Sequence, residues 1–195
     1  MTAVDPVQVI AELFAAQGAR EYPGEAVTQA AHMLQAAALA EAAGAGPELI
    51  AAALLHDVGH FTGPASGQEP LDGRDNRHGE AGAAWLARWF GPGVTEPVRL
   101  HVAAKRYLCA VEPGYLAALS PASKHTLRIQ GGPMSRAETA TFEGNPWCTA
   151  ALRVRRWDDK AKDPAAVVPA FGYYRPLLRQ LALRHSASPP SVTPR

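Results

Sequence analysis

Apolar residues return every three or four positions along most of the chain, the spacing of one helix face, and no stretch alternates as a half-buried strand does. Val7, Ile10, Leu13 and Phe14 predict a helix over 6–17. The alanine- and glutamine-rich stretch 24–43 predicts a second, stopped by Gly44, a residue suited to the turn past a helix end. Pro47 suits the first turn of a third helix, which runs through Leu49, Ile50, Ala53, Leu54 and Leu55 into His56-Asp57 before Gly59 breaks it. Gly63, Pro64, Gly67, Pro70 and Gly73 then interrupt the pattern, so 61–77 reads as a long loop placed to cover a site. A fourth helix begins near Asn76 to His78 and carries Trp85, Leu86, Trp89 and Phe90; a fifth spans 97–108. Turn residues dominate 120–146, with one short helix over 135–141. Helices over 147–161 and 169–184 complete the series, and Trp157 joins Trp85, Trp89 and Phe90 as expected core aromatics. The fold class is therefore all-α, a single domain over 1–185, with a proline-bearing tail at 186–195 expected to be disordered.

Composition narrows the function classes. Hydrophobic residues make up 47% of the 195 positions and charged ones 19%, which suits one packed core and argues against disorder. A formal net charge of +1 provides no broad basic field for a nucleic acid, and no run of like charges marks a membrane-surface anchor. No apolar run is long enough to span a bilayer, and the first five residues lack the positive start of a signal peptide, so a cytoplasmic location is expected. Cys109 and Cys148 are too few for a stapled secreted fold and are expected as buried thiols.

Six residues able to ligate a metal occur in the order His32, His56-Asp57, His78, His101, Asp158. His56 and Asp57 close an apolar helix, so an imidazole and a carboxylate reach one cluster, and the carboxylate has two oxygens with which to bridge two ions. His32, His56, Asp57 and Asp158 would serve one ion, and Asp57, His78 and His101 the other. Four imidazoles with two carboxylates suit iron, manganese, zinc or nickel better than magnesium or calcium, which prefer all-oxygen shells. His125 and His185 fit no position in the pattern. Lys105 lies four residues past His101, and Arg155 three before Asp158, so each cation shares a helix face with a ligand.

His32, His56-Asp57 and Asp158, with His78 and His101 added, resemble the HD-domain superfamily in its binuclear form, which implies a helical bundle around a central binuclear metal site. Tyr22-Pro23-Gly24-Glu25 stands just before His32, and a Tyr-x-x-Glu there is similar to the mixed-valence diiron oxygenase branch that cleaves organophosphonates. His60, Lys105, Ser123, Arg155 and the stretch Gln130-Gly131-Gly132-Pro133-Met134 also look like that branch. The resemblance implies two iron ions as an iron(II)/iron(III) pair, dioxygen as co-substrate and a small 1-hydroxy-organophosphonate such as 2-amino-1-hydroxyethylphosphonate as substrate. Oxidation at the carbon bearing hydroxyl and phosphonate would release phosphate and a carboxylate, with an upstream hydroxylase as pathway partner. His60, Lys105, Ser123 and Arg155 would hold the phosphonate. Tyr22 would occupy an open metal position until substrate displaces it, and Glu25 would hold a cationic amino end or keep the lid closed.

Two other readings use the same residues. A metal-dependent phosphohydrolase would hold a phosphate ester with the same cations and attack it with metal-bound hydroxide, but has no need of Tyr22 with Glu25. A non-catalytic regulatory domain would be expected to have lost ligands, and all six stand in this sequence.

Overall fold

The structure, a computed structural model, describes residues 4–62 and 77–187. Among them run eleven helices: α1 (Pro6–Gln17), α2 (Gln29–Ala42), α3 (Pro47–Leu55), α4 (Gly59–Thr62), α5 (His78–Leu86), α6 (Pro92–Val111), α7 (Tyr115–Ala118), α8 (Pro121–Ile129), α9 (Arg136–Glu143), α10 (Cys148–Lys160) and α11 (Phe171–Ala187). The described residues hold no strand, only an isolated antiparallel bridge between Glu21 and Thr28. The expected all-α class is what the chain adopts.

Local chemistry sets several starts. The Asp5 carboxylate accepts the Val7 N–H ahead of Pro6 in α1, Thr28 Oγ1 accepts from Ala31 N–H ahead of α2, and Ser135 forms a reciprocal capping box with Glu138 at α9. Helix α3 buries every residue from Ile50 to Leu55, as a helix apolar on all sides must. It lies against α2, α6, α10 and α11, while α6 also packs along α5 and α10. Leu54, Leu55, Met33, Leu86 and Phe90 are almost wholly excluded from water in this core, each large aliphatic side chain contributing about 1.5–3 kcal/mol. Phe14 ties α1 to its neighbours, 5.9 Å edge-on from Phe61 and 4.7 Å from Phe171.

Several boundaries differ from the sequence expectation. Helix α2 begins at Gln29, because the preceding residues make a turn in which Tyr22 N–H donates to Val27 O, Glu25 N–H donates to Tyr22 O, and Gly24 takes a φ of +75° that no helix accommodates. The fifth expected helix, now α6, starts at Pro92 and runs through Pro97; proline in an early turn removes one N–H without ending the helix. The region 120–146 contains a further helix, α8, started by Ser120, whose hydroxyl accepts from Ser123 N–H, and by Pro121. The fourth expected helix ends at Leu86, with Phe90 N–H closing a last turn on Leu86 O. Phe90 and Trp157 are buried, and Trp85 and Trp89 pack partly buried against the same core. Cys109 and Cys148 are free thiols, half-buried rather than fully enclosed, since both lie on partly open helix faces. Of the expected covering loop, 63–76 lies outside the described residues, as does 188–195 of the expected tail. No helix of the described residues is long and apolar enough to cross a membrane.

Candidate metal centre

Five elements converge on one buried point. His32 comes from α2, His56 and Asp57 from the end of α3, His78 from the first turn of α5, His101 from α6 and Asp158 from α10; all six are buried. Glycines let α5 come this close. A Cβ placed on Gly59 would lie 1.9 Å from His78 O, and one on Gly79 would lie 3.1 Å from Arg99 O and 3.4 Å from the His101 ring.

The donors form two groups that share Asp57. In the first, His32 Nε2 lies 3.0 Å from His56 Nε2 and 3.2 Å from Asp158 Oδ1, and Asp57 Oδ2 stands 3.6 and 3.4 Å from the two imidazole nitrogens. In the second, His78 Nε2 and His101 Nε2 are 3.0 Å apart, and Asp57 Oδ1 stands 3.4 and 3.5 Å from them. Bonds of about 2.1 Å to one ion put neighbouring donors about 3.0–3.4 Å apart, so each group fits one ion.

The outer ring nitrogens reinforce this. His32 Nδ1 lies 2.9 Å from Ala161 O, His56 Nδ1 2.8 Å from Ala53 O and His101 Nδ1 2.7 Å from Val98 O. An N–H at each of these positions donates to its carbonyl and turns the Nε2 lone pair inward, as metal-binding imidazoles require. Inward-facing lone pairs at 3.0 Å repel unless a positive charge sits between them, and Asp57 Oδ2 is buried with no hydrogen-bond partner. Burial pushes His56 down, but Asp57 and Asp158 outweigh it and raise its pKa to about 9, so the surroundings of this imidazole favour a positive charge. Metal binding at His56 would release any proton held there. Burial acts to raise the Asp57 pKa, yet His56 and the other imidazoles hold its carboxyl well below the usual range. Burial and the neighbouring His60 take His78 down to about 3, leaving a neutral ligand.

A cavity opens beside the second group, and Tyr22, Glu25, His60, Lys105, Ser123 and Arg155 all line it. Tyr22 stacks on His32, and burial with the Asp57 and Asp158 charges holds its hydroxyl well above the ordinary phenol range. His60 stacks on His78 at 4.2 Å, its Nε2 4.0 Å from Asp57 Oδ1. Lys105 is 3% exposed; its Nζ donates to Thr126 Oγ1 at 2.9 Å, and burial followed by the Arg155 charge brings its pKa down to about 7. Gln130 contributes a buried Oε1 that has no partner.

Arg155 and Glu25 are more engaged than sequence reasoning anticipated. The Arg155 fork donates to Tyr115 Oη through Nε, to Asp158 Oδ2 at 2.6 Å and to Asp159 Oδ1, while Tyr115 Oη–H donates to Asp159. Glu25 Oε1 accepts from Ser120 Oγ at 2.6 Å and from Lys162 Nζ at 2.7 Å, and Lys162 also donates to Ser123 Oγ at 3.1 Å. Sequence reading missed Tyr115, Asp159 and Lys162. Asp159 carried a usable signal, lying four residues past Arg155 on the same helix face; Lys162, just past the end of α10, carried none. His125 is exposed and His185 half-buried, and neither lines the cavity.

Comparison with known proteins gives the arrangement a family. The HD domain family model matches residues 30–129, which hold every proposed ligand except Asp158. A [1-hydroxy-2-(trimethylamino)ethyl]phosphonate dioxygenase (glycine-betaine-forming) of Leisingera caerulea is 44% identical over 92% of this chain and 91% of its own length. A hydroxymethylphosphonate dioxygenase of Gimesia maris is 48% identical over 77% of this chain and 75% of its own.

Proposed function

The chain belongs to the HD-domain family, and from that premise we propose that it is an oxygenase that uses dioxygen to cleave the carbon–phosphorus bond of a 1-hydroxy-organophosphonate. The observation that carries this reading is Asp57, whose two oxygens face separate imidazole pairs at the floor of a cavity that also holds Lys105 and Tyr22. Relatives covering most of the chain are named as dioxygenases of hydroxyphosphonates, which favours oxidation over hydrolysis of a phosphate ester.

Two iron ions fit the donor set, His32, His56, Asp57 and Asp158 holding one and Asp57, His78 and His101 the other. Held there as an iron(II)/iron(III) pair, they would supply the redox chemistry with dioxygen that side chains lack. The chain's residues do the rest. Lys105, with His60, Ser123 and the remaining donors of Arg155, neutralises and orients the phosphonate. Gln130 Oε1 offers an acceptor to a substrate hydroxyl. Tyr22 covers the first group and excludes water until substrate displaces it, and its neutral phenol adds no charge to the site.

The overall reaction balances without a further reductant. A 1-hydroxyphosphonate plus one dioxygen yields one carboxylic acid and one phosphate, the carbon–phosphorus bond and one carbon–hydrogen bond being broken and both oxygen atoms retained in the products. The 1-hydroxyl group calls for a hydroxylase acting earlier on the parent phosphonate.

The test is electron paramagnetic resonance of the iron-loaded, half-reduced protein with and without a 1-hydroxyphosphonate, paired with assay of phosphate release. A coupled iron(II)/iron(III) signal that changes on adding substrate, with one dioxygen consumed per phosphate, is expected. Absence of that signal in protein holding two irons, with phosphate released from esters instead, would establish the phosphohydrolase.

A further inference from the structure

Glu25 stands at the cavity wall in the place where a carboxylate would attract a cationic substrate tail, but its charge is already matched. Lys162 Nζ lies 2.7 Å from Glu25 Oε1, both side chains are largely buried at 14% and 12% exposure, and Ser120 Oγ donates to the same oxygen at 2.6 Å. The ammonium has three N–H groups and three acceptors: Glu25 Oε1, Ser123 Oγ at 3.1 Å and Ser120 Oγ at 3.4 Å. None of its donors is left over.

The lysine also stands on a fixed base. Ala161 O accepts from His32 Nδ1 at 2.9 Å on one side. On the other, Gln35 Nε2 donates to Asp163 O at 2.9 Å while Asp163 N–H donates to Gln35 Oε1 at 3.1 Å. The segment carrying Lys162 is thus tied to α2 at both flanks, one tie running through a proposed metal ligand. The turn carrying Glu25 is held as well, with Gly24 so close to α8 that a Cβ there would lie 2.9 Å from Ala122 Cβ.

Among the described residues, no carboxylate around the cavity is left unmatched for a cationic tail. Among the described residues lining it, the carboxylates are Glu25, Asp57 and Asp158. Asp57 faces the imidazoles, Asp158 faces His32 and Arg155, and Glu25 faces Lys162. A quaternary ammonium has no N–H with which to replace the bonds Lys162 makes to Glu25 and the serines, so it would meet the lysine's charge without compensating for it. Pro23, Val102, Ala122 and Ile129 offer an apolar surface for an uncharged substituent.

We propose that Lys162 sets the substrate class of this cavity by occupying Glu25, so that the chain acts on 1-hydroxyphosphonates whose carbon substituent carries no cationic nitrogen. The inference rests on the hydroxyphosphonate reading and makes Lys162 a specificity-determining residue for it.

The experiment compares an isosteric pair, [1-hydroxy-2-(trimethylamino)ethyl]phosphonate and its uncharged tert-butyl counterpart, (1-hydroxy-3,3-dimethylbutyl)phosphonate. Each is titrated calorimetrically into the iron-loaded protein without oxygen, and phosphate release is then assayed in air. The wild type is expected to bind the uncharged compound at least about tenfold more tightly, Lys162→Met to shift that ratio about tenfold toward the ammonium compound, and Lys162→Arg to keep the wild-type ratio. Tighter wild-type binding of the ammonium compound, or no binding of either, overturns the proposal, as does a ratio unmoved in a folded Lys162→Met. If the Met variant does not fold, the wild-type ratio decides. Binding with no phosphate released from either compound would instead remove the oxygenase reading, while the binding ratio would still judge Lys162.

Discussion

Tyr22 lies flat against His32, ring centroids 4.1 Å apart and planes 20° from parallel. One aromatic ring therefore covers a proposed metal ligand on the side from which substrate and oxygen would enter. Tyr22→Phe keeps the stacked ring and removes the hydroxyl, so iron content should not change. Oxygen uptake without substrate should rise about tenfold, the rate equivalent of roughly 1.4 kcal/mol. Unaltered background uptake, measured with an oxygen electrode, would show that the Tyr22 hydroxyl is not what closes the site.

The two carboxylate oxygens of Asp57 make different demands from those of the histidines. Because Oδ2 belongs to the His32–His56 group and Oδ1 to the His78–His101 group, Asp57→Ala should strip both positions. His78→Ala touches only the second group and should leave one ion per chain. Metal analysis after gel filtration separates the cases, and two tightly held ions in Asp57→Ala would exclude the shared ligand.

These residues were legible in the sequence because each carries its own chemistry. A His-Asp pair closing an apolar helix can be recognised without knowing what lies opposite, and so could the order of the remaining histidines. Lys162 is different: its meaning comes from Glu25, 137 residues away, and an isolated lysine past a helix end reads as a solvated charge. The spacing of Arg155 from Asp158 and Asp159 is visible along one helix, whereas Tyr115, the phenol that also takes up its Nε–H, becomes visible only when α7 folds against α10. Helix α8 was hidden for a third reason. Its Ser120-Pro121 start was present in the sequence, but polar residues and the neighbouring glycines masked its periodicity.

Lys105 gives a pH dependence with a definite sign. Its pKa falls from 10.5 to about 7 in the folded protein, with burial as the main cause and Arg155 next. Between those values the unfolded chain binds the extra proton, so this residue's contribution to stability rises with pH from about 7 toward 10. Measured on metal-free protein by urea unfolding, the wild type should gain up to about 4–5 kcal/mol over that window relative to Lys105→Met. Parallel curves for the two proteins would show that Lys105 keeps its charge. In the iron-loaded protein, Lys105→Met should weaken phosphonate binding and retain both metals.

Asp159 is expected to act through Arg155. It accepts from the Arg155 guanidinium and from Tyr115 Oη–H, leaving Arg155 Nη1 aligned on Asp158 Oδ2 at 2.6 Å. Asp159→Ala leaves a buried guanidinium short of one acceptor and should cost about 1–3 kcal/mol of stability. It should also raise KM for the phosphonate more than it lowers kcat, because Arg155 would swing without losing the metals. Unaltered KM together with lost metal would place Asp159 in support of Asp158 alone.

Gly59 connects the fold to the site most directly. It follows the His-Asp pair by two residues, and α5 approaches it so closely that a Cβ would stand 1.9 Å from His78 O, 2.7 Å from His78 C and 2.9 Å from Gly82 N. All three atoms are backbone, so no side-chain rotation can relieve the contact. Either α4 or the first turn of α5 must move, and the latter carries His78, the ligand 3.0 Å from His101. Gly59→Ala should therefore lose the ion of the second group before the first and destabilise the protein by about 1–3 kcal/mol, the usual cost of overpacking a tight core. A variant that folds with two ions and wild-type stability would show that α5 can withdraw without disturbing His78, and that this close approach is not what holds the second group together.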